Sequence, residues 1–547
     1  MKDTIIILGA GVMQGPAINI AKELELYTIV LDGSSNAPCI SLADRFEKID
    51  LKEKEEIESF AHSIKDKTNR LGIMTAGTDF SASVAWVAEK LELPGIPYKT
   101  ALNASDKARM RSCFDKAGLP SPPFSVISND SLSIPDYLQF PLVVKPVDNM
   151  GSRGCRRIDN IDEFEEAAKT AINFSRSGRA IIESFMDGPE FSVDAIVYNG
   201  EITICGLADR HIFFPPYFIE MGHTMPTVID KESQKVLLDT FCTGVQALGL
   251  NTGNNIGAAK GDIKLTSKGP MLGEIAARLS GGYMSGWTYP YSSGVKPIRA
   301  AIQAAMGQKP DCLTPVKNWT CAERAFISIP GTVKEIINIE KIKDIPHVND
   351  FFLRIKEGDK VTFPENNVTK CGNIIASNRE RETAIEAAQI AARSVLIRLD
   401  PKDIKTRNFL ENTLAEAQRR REDSKFPPDS FKLSIDLLEE LSKIPNNNFA
   451  PLRLRENSLA IIPFPEFEQS GLTDYMGRTI HEVLDIVHSL TGVSVSPVFS
   501  VPPCETIRNS PENAENVIRL GRSFWVALIR GSYQGAVYYI DSLGEKI

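Results

Sequence analysis

The chain has 547 residues, 42% of them hydrophobic and 24% charged, which is the composition of a soluble globular protein with three or four separately packed domains. A net charge of -8 and a pI near 5.6 argue against a general nucleic-acid binder. No apolar run reaches the roughly 18–20 residues that cross a bilayer, and the first residues lack the basic segment followed by a cleavable apolar one that a leader is expected to show. With nine cysteines and no CxxC pair, the expectation is a cytoplasmic protein without membrane contact, disulfide framework or zinc knuckle.

The first hundred residues alternate short apolar runs with amphipathic segments: IIILGAG, YTIVLD and LGIMTAGTD. Such alternation predicts a parallel sheet with helices on its faces. IIILGAGVMQG has the form strand, glycine turn, helix, and Asp32 ends the next strand where a dinucleotide enzyme would bind ribose. The fingerprint is weak on its own, because helix-on-strand packing demands glycine with or without a phosphate. From Thr100 the pattern ALNASDKARMRSCFDKAG predicts one long helix closed by LPSPP. Strand and glycine loop follow in FPLVVKPVDNMGSRG, a helix in IDEFEEAAKTAINF, then two or three strands through GLADR. The turn LTSKGP folds two further strands back antiparallel. A helix-rich stretch to Met306 leads into the β-like CAERAFISIPGTVKEII, and this unit ends in the helix RETAIEAAQIAARSVLIRL. Beyond it, NFLENTLAEAQRRREDSKFPPDS reads as a linker helix and break. The final unit contains the helical TDYMGRTIHEVLDIVHSL and the strand-like SFWVALIRGSYQGAVYYIDSL, a predicted buried hairpin. His481 and His488 share a helical face without a nearby ligand set, so a packed or partner-facing helix is expected there.

Four features in the middle of the chain fit one chemistry. Lys107 and Lys145 supply cations from a helix and a strand end, each of which alone reads as a solvated charge. Gly151, Ser152 and Gly154 let backbone amides approach an anion. Glu183 and Glu190 flank a turn. Asp262 and Glu274 lie on two hairpin strands that can bring their carboxylates to one face, where oxygen ligands suit magnesium. Arg278 lies close beyond.

The ordered set SDK, VVKP, GSRG, ESFMDGPEFSV, GD and GEIAARLSGG resembles the ATP-grasp superfamily, specifically its carboxylate–amine (amino-acid) ligase branch, and is similar to its biotin-carboxylase-like and purine-biosynthesis members. The resemblance covers roughly residues 1–400. It implies an α/β chain: a Rossmann-like N-terminal domain (1–100), a two-lobed α+β ATP-grasp core (101–308) and a small β-rich lid domain (309–400). A linker helix (401–428) and an extra α+β C-terminal domain (429–547) follow; the latter's role in assembly, partner docking or recognition of a larger substrate stays open. By the resemblance, Lys107 and Lys145 hold ATP phosphates under the loop of Gly151, Ser152 and Gly154. Glu183, Ser184 and Phe185 lead into the adenine pocket, Glu190 takes the ribose, and Asp262 and Glu274 bind magnesium, with manganese as an alternative. Arg278 steadies the transferred phosphate. Two departures stand out: Asp262 where glutamate is more usual, and Ala276 where many members carry asparagine, although purine-biosynthesis members also read EIA. In the resembled family the N-terminal glycine turn does not carry ATP, so Gly9, Gly11 and Gly15 are read as packing residues.

On the substrate side, ADRHIFFPPYFIEMGHTMPT sets Glu220 and His223 among aromatic and proline residues. The E-x-x-H spacing followed by Pro226 resembles the amino-acid ligase branch, with Glu220 for an amine and His223 for a carboxylate or the developing tetrahedral charge; His211 is less persuasive. Zinc is disfavoured because the pair lacks a third partner. The expected activity is ADP-forming ligation of a small-molecule carboxylate and amine through an acyl phosphate. The competing readings are an ATP-dependent carboxylase that activates bicarbonate, an NAD-dependent oxidoreductase and a non-catalytic nucleotide-binding partner.

Overall fold

The hydrophobic runs of the first hundred residues become strands buried on both faces. Strands β1 (Thr4–Leu8), β2 (Tyr27–Asp32), β3 (Arg45–Lys48) and β4 (Leu71–Thr75) form a parallel sheet in the order β3-β2-β1-β4. Ile5 to Leu8 have no exposed surface, as a parallel strand covered by helices requires. Among those helices are Gly15–Glu23, Lys54–Lys65 and Ser81–Lys90. The computed structural model describes residues 1–411, 427–446, 458–495 and 517–544. Contacts divide the chain into a first unit (1–324, 347–349, 375–388) and a second (325–346, 350–374, 389–547).

In the first unit the predicted long helix is two. Tyr98–Ser105 ends at Asp106, whose extended backbone (φ -115°, ψ 114°) starts Lys107–Lys116. The Asp106 carboxylate accepts the Arg109 N–H at 3.0 Å, so an N-cap in mid-pattern overrides the helical periodicity. Strands β5 (Phe124–Ser128), β6 (Leu142–Pro146), β7 (Arg156–Ile158) and β8 (Arg179–Ser184) make an antiparallel sheet in the order β5-β8-β6-β7, against which Phe164–Phe174 packs its apolar face. Strands β9 (Glu190–Tyr198), β10 (Glu201–Phe213), β11 (Ile219–Met225), β12 (Gly257–Thr266), β13 (Gly269–Ala276) and β14 (Thr320–Phe326) belong to a larger sheet, running β13-β12-β9-β10-β11-β14. Helix Lys231–Leu248 packs Leu237, Phe241 and Val245 onto Leu272 and Ile275.

The second unit holds an antiparallel sheet centred on Gly331–Ile337, between Lys360–Val361 and Leu396–Leu399. It also holds a parallel sheet in which Ser458–Ile461 lies between Ser494–Val495 and Val517–Leu520. The tail expected as a hairpin is helical, Arg522–Gly544, with a break at Ser532 (φ 51°, ψ -147°). Its β-prone Trp, Val, Tyr and Ile residues are apolar on every side, and Phe524, Trp525 and Leu528 bury fully against Phe431, Phe464 and Phe467; burial all round outweighs β propensity. TDYMGRTIHEVLDIVHSL is helical only from Ile480 to Thr491, because Thr479 caps it; His481 and His488 are exposed there. Most of the expected linker helix falls outside the described residues. No described helix is long and apolar enough to cross a membrane.

Candidate functional site

The capped start at Asp106 places Lys107 at the first helical position, where its own N–H donates to the Val147 carbonyl at 2.8 Å. Its Nζ, 2.9 Å from the Asn149 carbonyl, lies 3.4 Å from Glu274 Oε2. Neither this lysine nor Lys145 is a solvated surface charge. Lys145 rises from β6 beside β8 and meets Glu183 Oε2 at 2.5 Å, while Arg111 Nε donates to Glu183 Oε1 at 2.6 Å. Glu183, 2% exposed, is therefore an internal bracket for Lys145 rather than a carboxylate on a surface turn. Burial raises the Glu183 pKa, but Arg111 and Lys145 outweigh it and hold the group ionised below the usual range.

Between β6 and β7, Gly151, Ser152 and Gly154 all have positive φ (67°, 60° and 69°), the backbone that turns successive amides to one side. A Cβ at Gly154 would approach Phe174 Cβ to 2.9 Å. After Glu183, the Ser184 and Phe185 N–H groups donate to the Pro123 and Pro141 carbonyls. Cations from Arg157 and Lys264 lie 4.5 and 5.2 Å from the Phe185 ring centroid.

Asp262 and Glu274 are direct partners in the β12–β13 register, so both carboxylates leave the same face. Burial would raise the Glu274 pKa, yet Lys107, Lys260, Lys145 and Arg278 bring it to about 2. Asp262 is differently placed: Oδ1 is 2.8 Å from Arg210 and Oδ2 contacts Lys260. Arg278, 7% exposed, donates from Nη1 to the Leu279 carbonyl at 3.0 Å; its buried Nε makes no hydrogen bond. The segment after it meets the end of β4 through an Ala76–Leu279 bridge. That junction brings Asp79 into the field of Arg278 and Lys107, although burial still raises its pKa. Asp194 is also buried here and accepts from Ser280 N at 3.1 Å.

Glu220 and His223 lie on β11, and register pairing sets His223 opposite Glu323 of β14. His223 Nδ1 is 3.1 Å from Glu323 Oε2 and 3.6 Å from Glu220 Oε1, and His223 is fully buried. The third donor that the sequence did not supply thus comes from a strand a hundred residues away, with one ligand atom of each residue within 4.8 Å of the others. The expectation that the pair lacks a third partner is corrected. His211 Nε2 is 2.9 Å from Thr224 Oγ1, and burial lowers its pKa to about 3.

Sequence reasoning missed Arg111, Arg210, Asp79, Asp194 and Glu323. Arg111 follows Lys107 by four residues on one helix, a spacing that shares a face, whereas strand pairing and the Ala76–Leu279 bridge bring the other four to the site. The N-terminal glycine turn is covered by its own chain. Gly11 N–H donates to Gln14 Oε1 at 3.0 Å, a Cβ at Gly9 or Gly11 would lie 3.1 Å from Gln14, and Asp32 accepts from Ala10 and Ser34 N–H at 2.9 and 2.8 Å.

An ATP-grasp domain model matches residues 138–285, and an L-amino acid ligase C-terminal domain 2 model matches 325–400. An uncharacterized protein of Sinorhizobium fredii is 23% identical over 388 residues, 69% of this chain and 79% of that one. The D-alanine–D-alanine ligase of Pseudomonas fluorescens is 28% identical over 171 residues, 29% of this chain and 52% of that enzyme, so the chain spans about half of that relative. The crystal structure of L-amino acid ligase from Bacillus licheniformis shares the fold, with a TM-score of 0.64, 23% identity and coverage of 73% of this chain and 99% of that one.

Proposed function

We propose that this chain, whose residues 138–285 match an ATP-grasp domain, is an ATP-dependent, ADP-forming ligase that joins the carboxylate of one amino acid, or similar small molecule, to the amine of a second through an acyl phosphate. The observation that carries this reading is the meeting of Lys107, Lys145, Glu274 and Arg278, from four separate elements, beside a loop of left-handed residues. Lys107, Lys145 and the loop amides bind the phosphates. Asp262 and Glu274, oxygen donors on one face in direct register, fit magnesium and would hold it. Magnesium supplies charge neutralisation on the triphosphate. The carboxylate oxygen attacks the γ-phosphorus and the bond to ADP breaks, while Arg278 stabilises charge on the transferred group. The amine nitrogen then bonds to the acyl carbon, the C–O bond to phosphate breaks, and the amine proton is released. The buried carboxylates Glu220 and Glu323 favour an ammonium at the acceptor position, with His223 between them.

The test is a screen of ADP release against pairs of amino acids, with the product identified by mass. A dipeptide mass that depends on ATP is the expected result. ADP release driven by bicarbonate alone would replace the reading with carboxylation; MgATP binding without turnover of any pair would overturn it.

A further inference from the structure

Arg210 stands in β10 opposite Glu190 of β9 on one side and His223 of β11 on the other. Its side chain is 11% exposed, and one guanidinium serves three carboxylates from three strands. Nη1 contacts Glu190 Oε1 and lies 2.8 Å from Asp262 Oδ1; Nε donates to Glu220 Oε2 at 3.1 Å, and Nη2 contacts the same oxygen. The planar fork of arginine holds such a set in fixed directions, which the single nitrogen of lysine does not. Glu220 is thereby gripped by one oxygen. Its other oxygen, Oε1, is turned toward His223 and toward Gly282, where a Cβ would stand only 3.0 Å away.

We propose that Arg210 is a positioning residue that ties Glu220, on the amine side, to Glu190 and Asp262 on the nucleotide side, and so fixes the separation between the incoming amine and the phosphates. The proposal rests on the ligase reading above. Reaction between two bound molecules depends on holding them within reach, so a loosened tie lowers the rate even where both still bind.

The experiment compares wild type with Arg210→Lys, which keeps the charge and loses the fork. Calorimetric titration with MgADP needs no knowledge of the amino acids, and a several-fold weaker affinity is expected with the melting temperature within about 3 °C of wild type. With the amino-acid pair that gives the highest turnover in the screen, the KM for the amine should rise at least about tenfold and kcat should fall. In a Glu220→Gln background the same lysine should add little to the amine KM, since the two changes break one tie. An unchanged amine KM in Arg210→Lys, or an equal fold-increase with and without Glu220→Gln, would overturn the proposal. If no pair is turned over, the ligase reading fails instead, and an unchanged MgADP affinity would still overturn the tie to the nucleotide side.

Discussion

Glu274, with its side chain 28% exposed, and the fully buried Asp194 have opposite electrostatics. Four cations hold Glu274 ionised to about pH 2 against its own burial. Glu274→Gln keeps the shape and removes the charge, so ATP should still bind while phosphoryl transfer falls by about two orders of magnitude or more. Single-turnover ADP formation beside equilibrium ATP binding separates the two; wild-type ADP release in the variant would remove Glu274 from the mechanism. For Asp194, burial wins over Ser280, Lys260 and Arg278, and the pKa rises from 3.8 to about 6. The folded state therefore holds this proton more tightly than the unfolded chain. Its contribution to stability is complete below about pH 3.8 and is lost as pH rises through about 6. Asp194→Asn should shrink the stability difference between pH 4 and pH 7 by roughly 2 kcal/mol in urea unfolding at the two pH values. Parallel pH profiles for the two proteins would contradict that assignment.

At the scale of elements, the outcome turns on caps and register. Asp106 breaks a helical pattern to start a new helix, and its other oxygen meets Arg179 at 2.5 Å. Asp106→Ala should cost about 1 kcal/mol of stability and weaken ATP binding, because Lys107 is the first residue that the cap orients. Thermal unfolding and nucleotide titration check both, and a destabilised variant with unaltered ATP affinity would separate the cap from the site. The β12–β13 hairpin was legible because LTSKGP marks its turn, but the Asp262–Glu274 pairing does not follow from its length: the register shifts by one residue between Asp262 and Ile263, and that irregularity sets the two carboxylates opposite each other. The C-terminal helix was not legible, since a continuous apolar run of aromatic and β-branched residues has no period that distinguishes a buried helix from a buried strand. The break between Tyr98–Ser105 and Lys107–Lys116 was written in Asp106, a cap residue that the surrounding periodicity masked.

At the scale of the whole molecule, the choice between nucleotides is testable directly. Gln14 lies over the glycine turn and Asp32 is engaged by backbone amides, whereas the lysine and carboxylate series lies far along the chain. MgATP should raise the melting temperature and NAD should not; at a hundredfold excess over Kd a single ligand stabilises by about 2.7 kcal/mol. A shift with NAD alone would reverse the assignment of the two halves.

The sequence by itself determined the order of chemistry: which lysines, glycines and carboxylates follow one another, and that the opening glycine turn needs no phosphate to explain it. Those features are local, because turn type, strand alternation and motif spacing act over a few residues. Only the tertiary structure decided the partners. Arg111 on Glu183, Arg210 among three carboxylates, Glu323 against His223 and Asp79 near Arg278 each join residues ten to two hundred positions apart. Ion pairing and burial depend on which strands lie side by side, and linear spacing does not encode that adjacency.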